Sequence, residues 1–250
     1  MTDVKEGSKA LNVLKDKIQL IKSTDFDLYV VGPIKLPVQL DGQTVEFSWY
    51  SWFRVQNGSD DFEELLANLK NLNLAEHQQS SVLVYGDFKD AEDAFIRMHS
   101  ICHTGDIFGS KRCDCGYQLK TSMKMIVEKG QGALFYLANH EGRGIGLFSK
   151  ALAYVLQENG YDTVEANEAL GFEDDVRNYA EAIQVLKALR TKSVTLITNN
   201  PKKLSALQQY GLPVSGREPL WGDVSTYNEF YLETKRKRSG HLDEERILFS

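Results

Sequence analysis

The sequence predicts a mixed α/β (α+β) fold, with a β-rich N-terminal half packed on an α/β C-terminal half. Segments 45–55, 81–87 and 94–101 are rich in aromatic and β-branched residues, a composition typical of strands. After residue 115 the pattern changes to amphipathic helices that alternate with short apolar strands. With 250 residues, of which 42% are hydrophobic, the chain can bury a substantial core.

The predicted elements follow in order from this periodicity. Apolar residues at near-helical spacing predict an amphipathic helix within residues 3–22. An acidic first turn followed by Phe62, Leu65 and Leu69 on one face predicts a helical insertion over residues 60–78. The C-terminal half predicts helices at 116–129, 146–159, 175–190 and 201–210 and strands at 132–137 and 193–198.

The three cysteines, Cys102, Cys113 and Cys115, lie together in HSICHTGDIFGSKRCDCG. Three thiolates suit Zn²⁺, and a site with three protein ligands keeps a fourth position for water, as catalytic zinc sites do. The spacing leaves two alternatives open. The cysteines are buried apolar thiols, or His99 or His103 completes a four-ligand structural site.

Charge and hydropathy exclude several classes of function. With 29 basic and 35 acidic residues, the formal charge of −6 does not support a general nucleic-acid-binding surface. No apolar run approaches the roughly 20 residues that span a bilayer, and the start of the chain has no signal-peptide stretch. We therefore expect a cytoplasmic protein that binds neither nucleic acid nor membrane, in a compartment that keeps thiols reduced.

An ordered set of motifs carries a resemblance to a known family. The set comprises RMHSICHTGDIFGSKRCDCGYQ, EGRGIGL, YDTVEANEALGF, DDVRNY and TNNPKK, in that order. Together they resemble GTP cyclohydrolase II, the enzyme that opens riboflavin biosynthesis. The resemblance implies an N-terminal extension at 1–35, a catalytic domain at 36–242 that contains the helical insertion, and a tail at 243–250.

The resemblance implies a hydrolase that converts GTP to formate, pyrophosphate and 2,5-diamino-6-(5-phosphoribosylamino)pyrimidin-4-one. It implies one zinc per subunit, with Cys102, Cys113 and Cys115 as ligands, and a homodimer. Zinc lowers the pKa of bound water towards about 7, which suits attack on the imidazole ring. The triphosphate calls for a hard counterion, so we expect Mg²⁺ to bind with the substrate.

The resemblance also implies three catalytic residues. Asp175 matches an acid–base aspartate, Arg177 an arginine assigned to attack on the α-phosphate, and Tyr154 a tyrosine near the purine. Physical chemistry favours a different role for Arg177, because a guanidinium is always protonated and clamps phosphate oxygens. Taken alone, Asp175 also fits a helix N-cap and Tyr154 a core position.

The implied nucleotide-binding residues come from several motifs. Glutamate and glutamine can recognise the guanine edge, whereas arginine and lysine offset phosphate charge. The implied set is Arg97, Met98, His99, Ser100, Ile101, Gln118, Glu141, Gly142, Arg143, Thr163, Thr198 and Lys203.

Two departures from the family pattern lie beside this chemistry. Ile101 replaces a glutamate, and Asn139 with His140 replaces an arginine and a glutamine. Two alternatives therefore accompany the main hypothesis. One is a related enzyme that acts on another purine nucleotide or stops at a formylated intermediate, and the other is a non-catalytic, zinc-stabilised nucleotide-binding module.

Overall fold

A computed structural model of the chain describes residues 11–173, 175–238, 240–242 and 247–248. Nine strands within these residues form one mixed sheet in the order β1-β2-β3-β4-β6-β5-β7-β8-β9. The strands are β1 Ile18–Lys22, β2 Asp27–Leu40, β3 Gln43–Val55, β4 Ser81–Tyr85, β5 Ala94–Ser100, β6 Gly132–Leu137, β7 Val194–Ile197, β8 Val214–Glu218 and β9 Ile247–Leu248. The helices are α1 Phe62–Asn68, α2 Cys115–Lys129, α3 Leu147–Glu158, α4 Thr163–Ala169, α5 Ala180–Leu189, α6 Pro201–Gln209 and α7 Glu229–Lys237.

The sheet has an antiparallel part and a parallel part. β1 to β4 pair antiparallel in sequence order, and β4 then pairs antiparallel with β6. β6, β5, β7 and β8 are parallel neighbours. This arrangement confirms the mixed α/β fold with a β-rich first half.

The parallel strands are buried on both faces because helices cover each side of the sheet. Along β6, Ala133 and Phe135 contact a cluster that includes Ile183 of α5, whereas Leu134 contacts one that includes Ile126 of α2. A strand that is covered on both sides reads as a continuous apolar run, which explains the sequence GALFYL.

The N-terminal helix prediction is wrong over part of its length. Residues 11–15 are helical, but Ile18–Lys22 form strand β1, and residues 3–10 lie outside the described part of the chain. Ile18 pairs with Val31 and Lys22 with Asp27. Pairing with a distant strand therefore overrides the local helical spacing.

Other predicted elements are confirmed to within a few residues, with one exception. The helix predicted at 175–190 begins only at Ala180, where the side chain of Asn178 accepts a hydrogen bond from the backbone N–H. The insertion at 60–78 forms α1 and two short 3₁₀ turns, and the Asp61 carboxylate caps α1. The domain division stays a prediction, and its boundary after residue 35 falls within β2. No helix among the described residues has both the length and the apolar character needed to cross a bilayer.

Candidate active site

The candidate site lies at the carboxyl ends of the parallel strands. β5 ends at Ser100 and leads to Cys102, β6 ends at Leu137 and leads to the EGRG turn, and β7 is followed by Thr198. Loops at this edge of an α/β sheet converge on one crevice. Motifs that are far apart along the chain therefore lie close together in space.

The three cysteine sulfurs converge as predicted. The Sγ atoms of Cys102, Cys113 and Cys115 all lie within 4.8 Å of one another. Cys102 follows β5, and Cys115 begins α2, so two different elements supply the thiols. A π-helical turn, His103–Ile107, brings Gly105 against them, and a Cβ atom there would lie 2.8 Å from the Cys113 Sγ. Any side chain at residue 105 would therefore displace at least one of these sulfurs.

The cysteine cluster favours a thiolate. Hydrogen bonds from Cys113 and Cys115, together with the charge of Lys150, hold the pKa of the Cys102 thiol far below its usual value. Cys102 in turn raises the pKa of the Cys113 thiol to about 11. Thiolate is the form that ligates metals, so the protein environment already prepares one ligand.

Neither nearby histidine joins the thiols. His99 Nε2 is 3.0 Å from Asp106 Oδ2, and the His99 ring stacks on Tyr136. The His103 ring meets Phe108 edge-on. Among the described residues, the converging group of potential metal ligands contains only the three cysteines. The geometry therefore favours a three-ligand site over the four-ligand alternative.

A cleft of about 690 Å³ opens beside the thiols. Tyr154 contributes its ring, which lies 4.1 Å below the Arg112 guanidinium, and its hydroxyl is 3.3 Å from Thr104 Oγ1. Tyr154 therefore faces this cleft, although the sequence alone also fitted a core position. Other predicted residues that line it are Ile101, Glu141, Gly142, Arg143 and Thr163. We call this space the base cleft, after the purine base that the sequence resemblance implies.

Glu141 is buried in the wall of the base cleft. Its carboxylate accepts hydrogen bonds from the His103 N–H at 2.6 Å, from Lys150 Nζ at 2.6 Å and from the Gly142 N–H at 3.2 Å. Three donors thus engage the carboxylate, which organises the turn around it. The expected recognition of guanine by Glu141 stays a prediction.

A second cleft, of about 750 Å³, adjoins the first and is strongly basic. We call it the phosphate cleft, after the triphosphate that the sequence resemblance implies. Its cationic side chains are Arg97, Arg143, Arg177, Lys202, Lys203 and Lys235. Burial, and then the charges of Arg97 and Arg177, lower the pKa of Lys203 well below its usual value. Such a concentration of positive charge is unfavourable without an anion and is therefore suited to binding one.

Asp175 and Arg177 form a bidentate ion pair at the edge of the phosphate cleft. Arg177 Nε donates to Asp175 Oδ1 and Nη2 to Oδ2, both over 2.7 Å. Burial opposes both charges, but the pair keeps the pKa of Asp175 below its usual value. Tyr179 and Asp175 together keep the pKa of Arg177 above its usual value. Asp175 caps no helix, because the next helix begins five residues later; Asp174 lies outside the described residues.

The remaining predicted residues divide by location. Arg97, His99, Gln118, Thr198 and Lys203 line the phosphate cleft, and Ser100 lines both clefts. His99 Nδ1 is buried without a hydrogen-bond partner among the described residues. Met98 lines neither cleft, because its side chain is fully buried in the core and only its carbonyl accepts from Lys203 Nζ.

Sequence reasoning missed several residues of the site. Tyr231 of α7 lines both clefts, and Lys235 Nζ pairs with Asp114 Oδ1, between two of the cysteines, over 2.7 Å. Asn167 lines the base cleft with a buried, unpartnered Nδ2 among the described residues. The sequence signals were family-like text: YLETK at 231–235 for α7, and VEAN within the motif YDTVEANEALGF for Asn167.

Comparison with known proteins identifies the family. The model of the family described as GTP cyclohydrolase II matches residues 70–219. The chain belongs to this family. All residues predicted for the site lie within the match, whereas Tyr231 and Lys235 lie beyond it.

Relatives extend the GTP cyclohydrolase II match along the chain. The riboflavin biosynthesis protein RibBA of Salinispora tropica is 41% identical over 237 residues, which is 95% of this chain and 54% of that protein. RibBA of Bacillus velezensis is 50% identical over 171 residues, 68% of this chain and 43% of that protein. A probable bifunctional riboflavin biosynthesis protein of rice, RIBA 1, chloroplastic, is 49% identical over 170 residues, which is 32% of that protein. The chain thus spans about half or less of the length of these curated relatives.

Proposed function

We propose that the protein hydrolyses GTP, opens the imidazole ring of guanine and releases formate and pyrophosphate. The product is then 2,5-diamino-6-(5-phosphoribosylamino)pyrimidin-4-one. One observation carries the proposal: the base cleft and the phosphate cleft share Ser100, Cys115, Arg143, Arg177 and Tyr231 as a common wall. A substrate that crosses this wall carries a base at one end and several phosphates at the other. A nucleoside triphosphate has this form.

Zinc fits the cysteine cluster. Three sulfurs converge beside a turn in which a Cβ at residue 105 would press on them. Among the described residues, no histidine, further cysteine or carboxylate joins them as a fourth ligand. Cys102, Cys113 and Cys115 would hold one ion per subunit. When bound, zinc supplies Lewis acidity that makes water reactive near neutral pH.

The residues of the phosphate cleft bind the triphosphate and stabilise charge. Arg177 is the strongest candidate to hold the α-phosphate, since it lies in the wall that both clefts share. Its bidentate pair with Asp175 disfavours the deprotonation that a nucleophilic guanidine needs. Mg²⁺ accompanies the triphosphate in this proposal, because oxygen-rich polyphosphates bind it with few protein ligands.

Tyr154 and the walls of the base cleft orient the purine. Tyr154, Cys102 and Thr163 all line this cleft, which supports the packing of a planar base on the Tyr154 ring near the cysteine cluster. Recognition of guanine by Glu141 is part of the proposal. The three donors on its carboxylate indicate that it acts on the base largely through the turn that it organises.

We also propose a homodimer and a place in riboflavin biosynthesis. The names of the RibBA relatives support the pathway. An apolar stripe on α3, formed by Phe148, Leu152 and Val155, supports a second subunit as partner. The three free thiols suit a reducing compartment, which supports the cytoplasm as the location.

The test is an assay of both products. Purified protein is incubated with GTP and Mg²⁺, while formate, pyrophosphate and the absorbance of the pyrimidine are followed. We expect all three to appear together. Pyrophosphate without formate would indicate the related reaction that stops at a formylated intermediate, and GTP binding without turnover would indicate a binding module.

A paired substitution tests the cysteine cluster. Cys113→Ser should abolish formate release and lower zinc content, because two thiolates and a hydroxyl bind zinc poorly. Ser110→Ala, in the same segment, is the matched control and should retain both. Unchanged formate release in Cys113→Ser would refute the role of the metal.

A further inference from the structure

His140 lies between the end of β5 and the segment that carries Asp175 and Arg177. Its imidazole is buried, with 2% of its surface exposed. Nδ1 is 3.1 Å from Ser100 Oγ, and Nε2 is 2.9 Å from the backbone carbonyl oxygen of Asn178. The ring also meets Tyr179 edge-on at 4.9 Å. The two ring nitrogens therefore connect Ser100, in the wall between the clefts, to the segment that carries Arg177.

The partners of His140 determine where its proton lies. A carbonyl oxygen only accepts, so Nε2 carries the hydrogen and donates it to Asn178. Burial lowers the pKa of His140 to about 4, so the ring is neutral near pH 7. Nδ1 then has a free lone pair and accepts the hydroxyl hydrogen of Ser100.

The direction of this hydrogen bond determines whether Ser100 Oγ can donate to, or only accept from, its other neighbours. With its hydrogen donated to His140, Ser100 Oγ presents only lone pairs to the clefts. Arg177 Nη1 lies 3.3 Å away and donates to that oxygen. A continuous series of hydrogen bonds thus runs from the Asn178 carbonyl through His140 and Ser100 to Arg177.

The segment around Arg177 has few other attachments to the strands. Residues 172–179 contain no helix or strand among those described, since α5 begins at Ala180. The backbone N–H of Val176 donates to the Arg143 carbonyl over 3.2 Å, and His140 holds the following stretch at Asn178. Tyr179 is buried in the core beside β5, so the loss of either hydrogen bond would leave the segment attached but would allow Arg177 to shift relative to β5.

We propose that His140 is a positioning residue that fixes Arg177 against the substrate phosphate through Ser100 and the Asn178 carbonyl. The inference rests on the proposed function. For this role, residue 140 must present a hydrogen-bond acceptor to the Ser100 hydroxyl and a hydrogen-bond donor to the Asn178 carbonyl. A glutamine amide offers both, with Oε1 as acceptor and Nε2 as donor, whereas a methionine of similar length offers neither.

The experiment compares His140→Gln with His140→Met. We expect His140→Gln to release pyrophosphate at nearly the wild-type kcat. We expect His140→Met to lose about 100-fold in kcat with little change in KM, since misplacement of a clamping group acts on the transition state. A wild-type kcat in His140→Met, or equal losses in both variants, would overturn the proposal.

Two further measurements keep the test independent of folding and of turnover. Ser100→Ala cuts the same series of hydrogen bonds and leaves His140 in place, so it should reproduce the kcat loss if His140→Met fails to fold. The side-chain ¹⁵N signals of Arg177, assigned with Arg177→Lys, should be retained in His140→Gln and shifted in Ser100→Ala. Unshifted signals in Ser100→Ala would overturn the positioning role even if the wild-type protein released neither product, a result that would itself count against the proposed function.

Discussion

Lys150 Nζ lies 2.6 Å from Glu141 Oε1, in a pair whose side chains are 11% and 2% exposed. The same ammonium is 3.1 Å from Cys102 Sγ. Glu141 also accepts from the backbone of His103, directly after Cys102. The ion pair therefore joins the turn after β6 to the cysteine cluster. The Lys150 ammonium supplies the positive charge that favours a thiolate there.

Removal of the Glu141 charge should destabilise the fold. In Glu141→Gln the buried Lys150 ammonium loses its compensating carboxylate, and we expect the free energy of unfolding to fall by about 3–5 kcal/mol. Urea denaturation measures this change. The double variant Glu141→Gln/Lys150→Met should recover much of the loss, and equal stability of the single and double variants would contradict the role of the pair.

Gly105→Ala should impair metal binding. Its Cβ would lie 2.8 Å from Cys113 Sγ and 3.1 Å from Cys102 Sγ, so at least one thiol must move. We expect zinc content after dialysis to fall well below one ion per chain, as measured by elemental analysis. Ser110→Ala is again the control, and full zinc content in Gly105→Ala would show that the turn can adjust.

Lys203→Met should stabilise the protein while weakening substrate binding. Burial beside Arg97 and Arg177 makes the Lys203 ammonium unfavourable in the absence of an anion. We expect an increase of about 1 kcal/mol in the free energy of unfolding, the usual size of such trade-offs. GTP affinity should fall about 10- to 100-fold with the loss of a charged hydrogen bond. Calorimetry measures both, and a destabilised variant would contradict the argument.

Acid should destabilise the protein partly through His140. Burial lowers the pKa of His140 in the folded protein to about 4, against 6.5 for the free side chain. Between these values the unfolded state binds more protons, so stability is lost as pH falls from about 6.5 to 4. The contribution is at most about 3 kcal/mol. His140→Gln should therefore lose less stability over this range in urea titrations, although His241, whose pKa burial lowers to about 3, should still contribute.

Substitution on α3 should disrupt the proposed homodimer. Phe148, Leu152 and Val155 are 79%, 42% and 56% exposed and follow one face of the helix. We expect Phe148→Glu to shift the protein from dimer to monomer in sedimentation experiments. Val224, 65% exposed on another segment, provides the matched control Val224→Glu. A wild-type protein that is monomeric in solution would refute the proposed homodimer.

The sequence predicted the fold where local and tertiary signals agree. GALFYL is apolar throughout and becomes a strand covered on both faces. The N-terminal prediction failed over Ile18–Lys22 because the helical spacing of apolar residues there also suits an edge strand paired with β2. The missed helix Thr163–Ala169 has a capping box between Asp162 and Glu165, a signal that the sequence did contain.

The site was predictable where spacing along the chain is short. Cys102, Cys113 and Cys115 fall within one segment, so their convergence follows from local structure. The contributions of Tyr231 and Lys235 depend on how α7 returns to the site from over 100 residues away, which no local pattern encodes. Two of the three donors on Glu141 are backbone N–H groups of turns and the third is the Lys150 ammonium, and these contacts were equally hidden.

Histidine at position 140, where the family pattern has glutamine, can be explained by hydrogen bonding. Histidine and glutamine differ in shape and in acid–base behaviour, but each can accept at one end and donate at the other. A neutral His140 therefore preserves the hydrogen-bond polarity that a glutamine would give, which argues against a changed substrate at this position.

Strand β4 pairs with β3 on one side and β6 on the other, and so ties the antiparallel strands to the parallel ones. Neither portion has a free edge where they meet, so separating them means breaking a ladder from Ser81 to Tyr85 whose residues contact both cores. Calorimetry should accordingly record a single melting peak, and limited proteolysis in mild denaturant should yield no persistent half-length fragment. The two clefts, whose lining residues all come from position 97 onward, would then lose their shape in the same transition as the N-terminal strands.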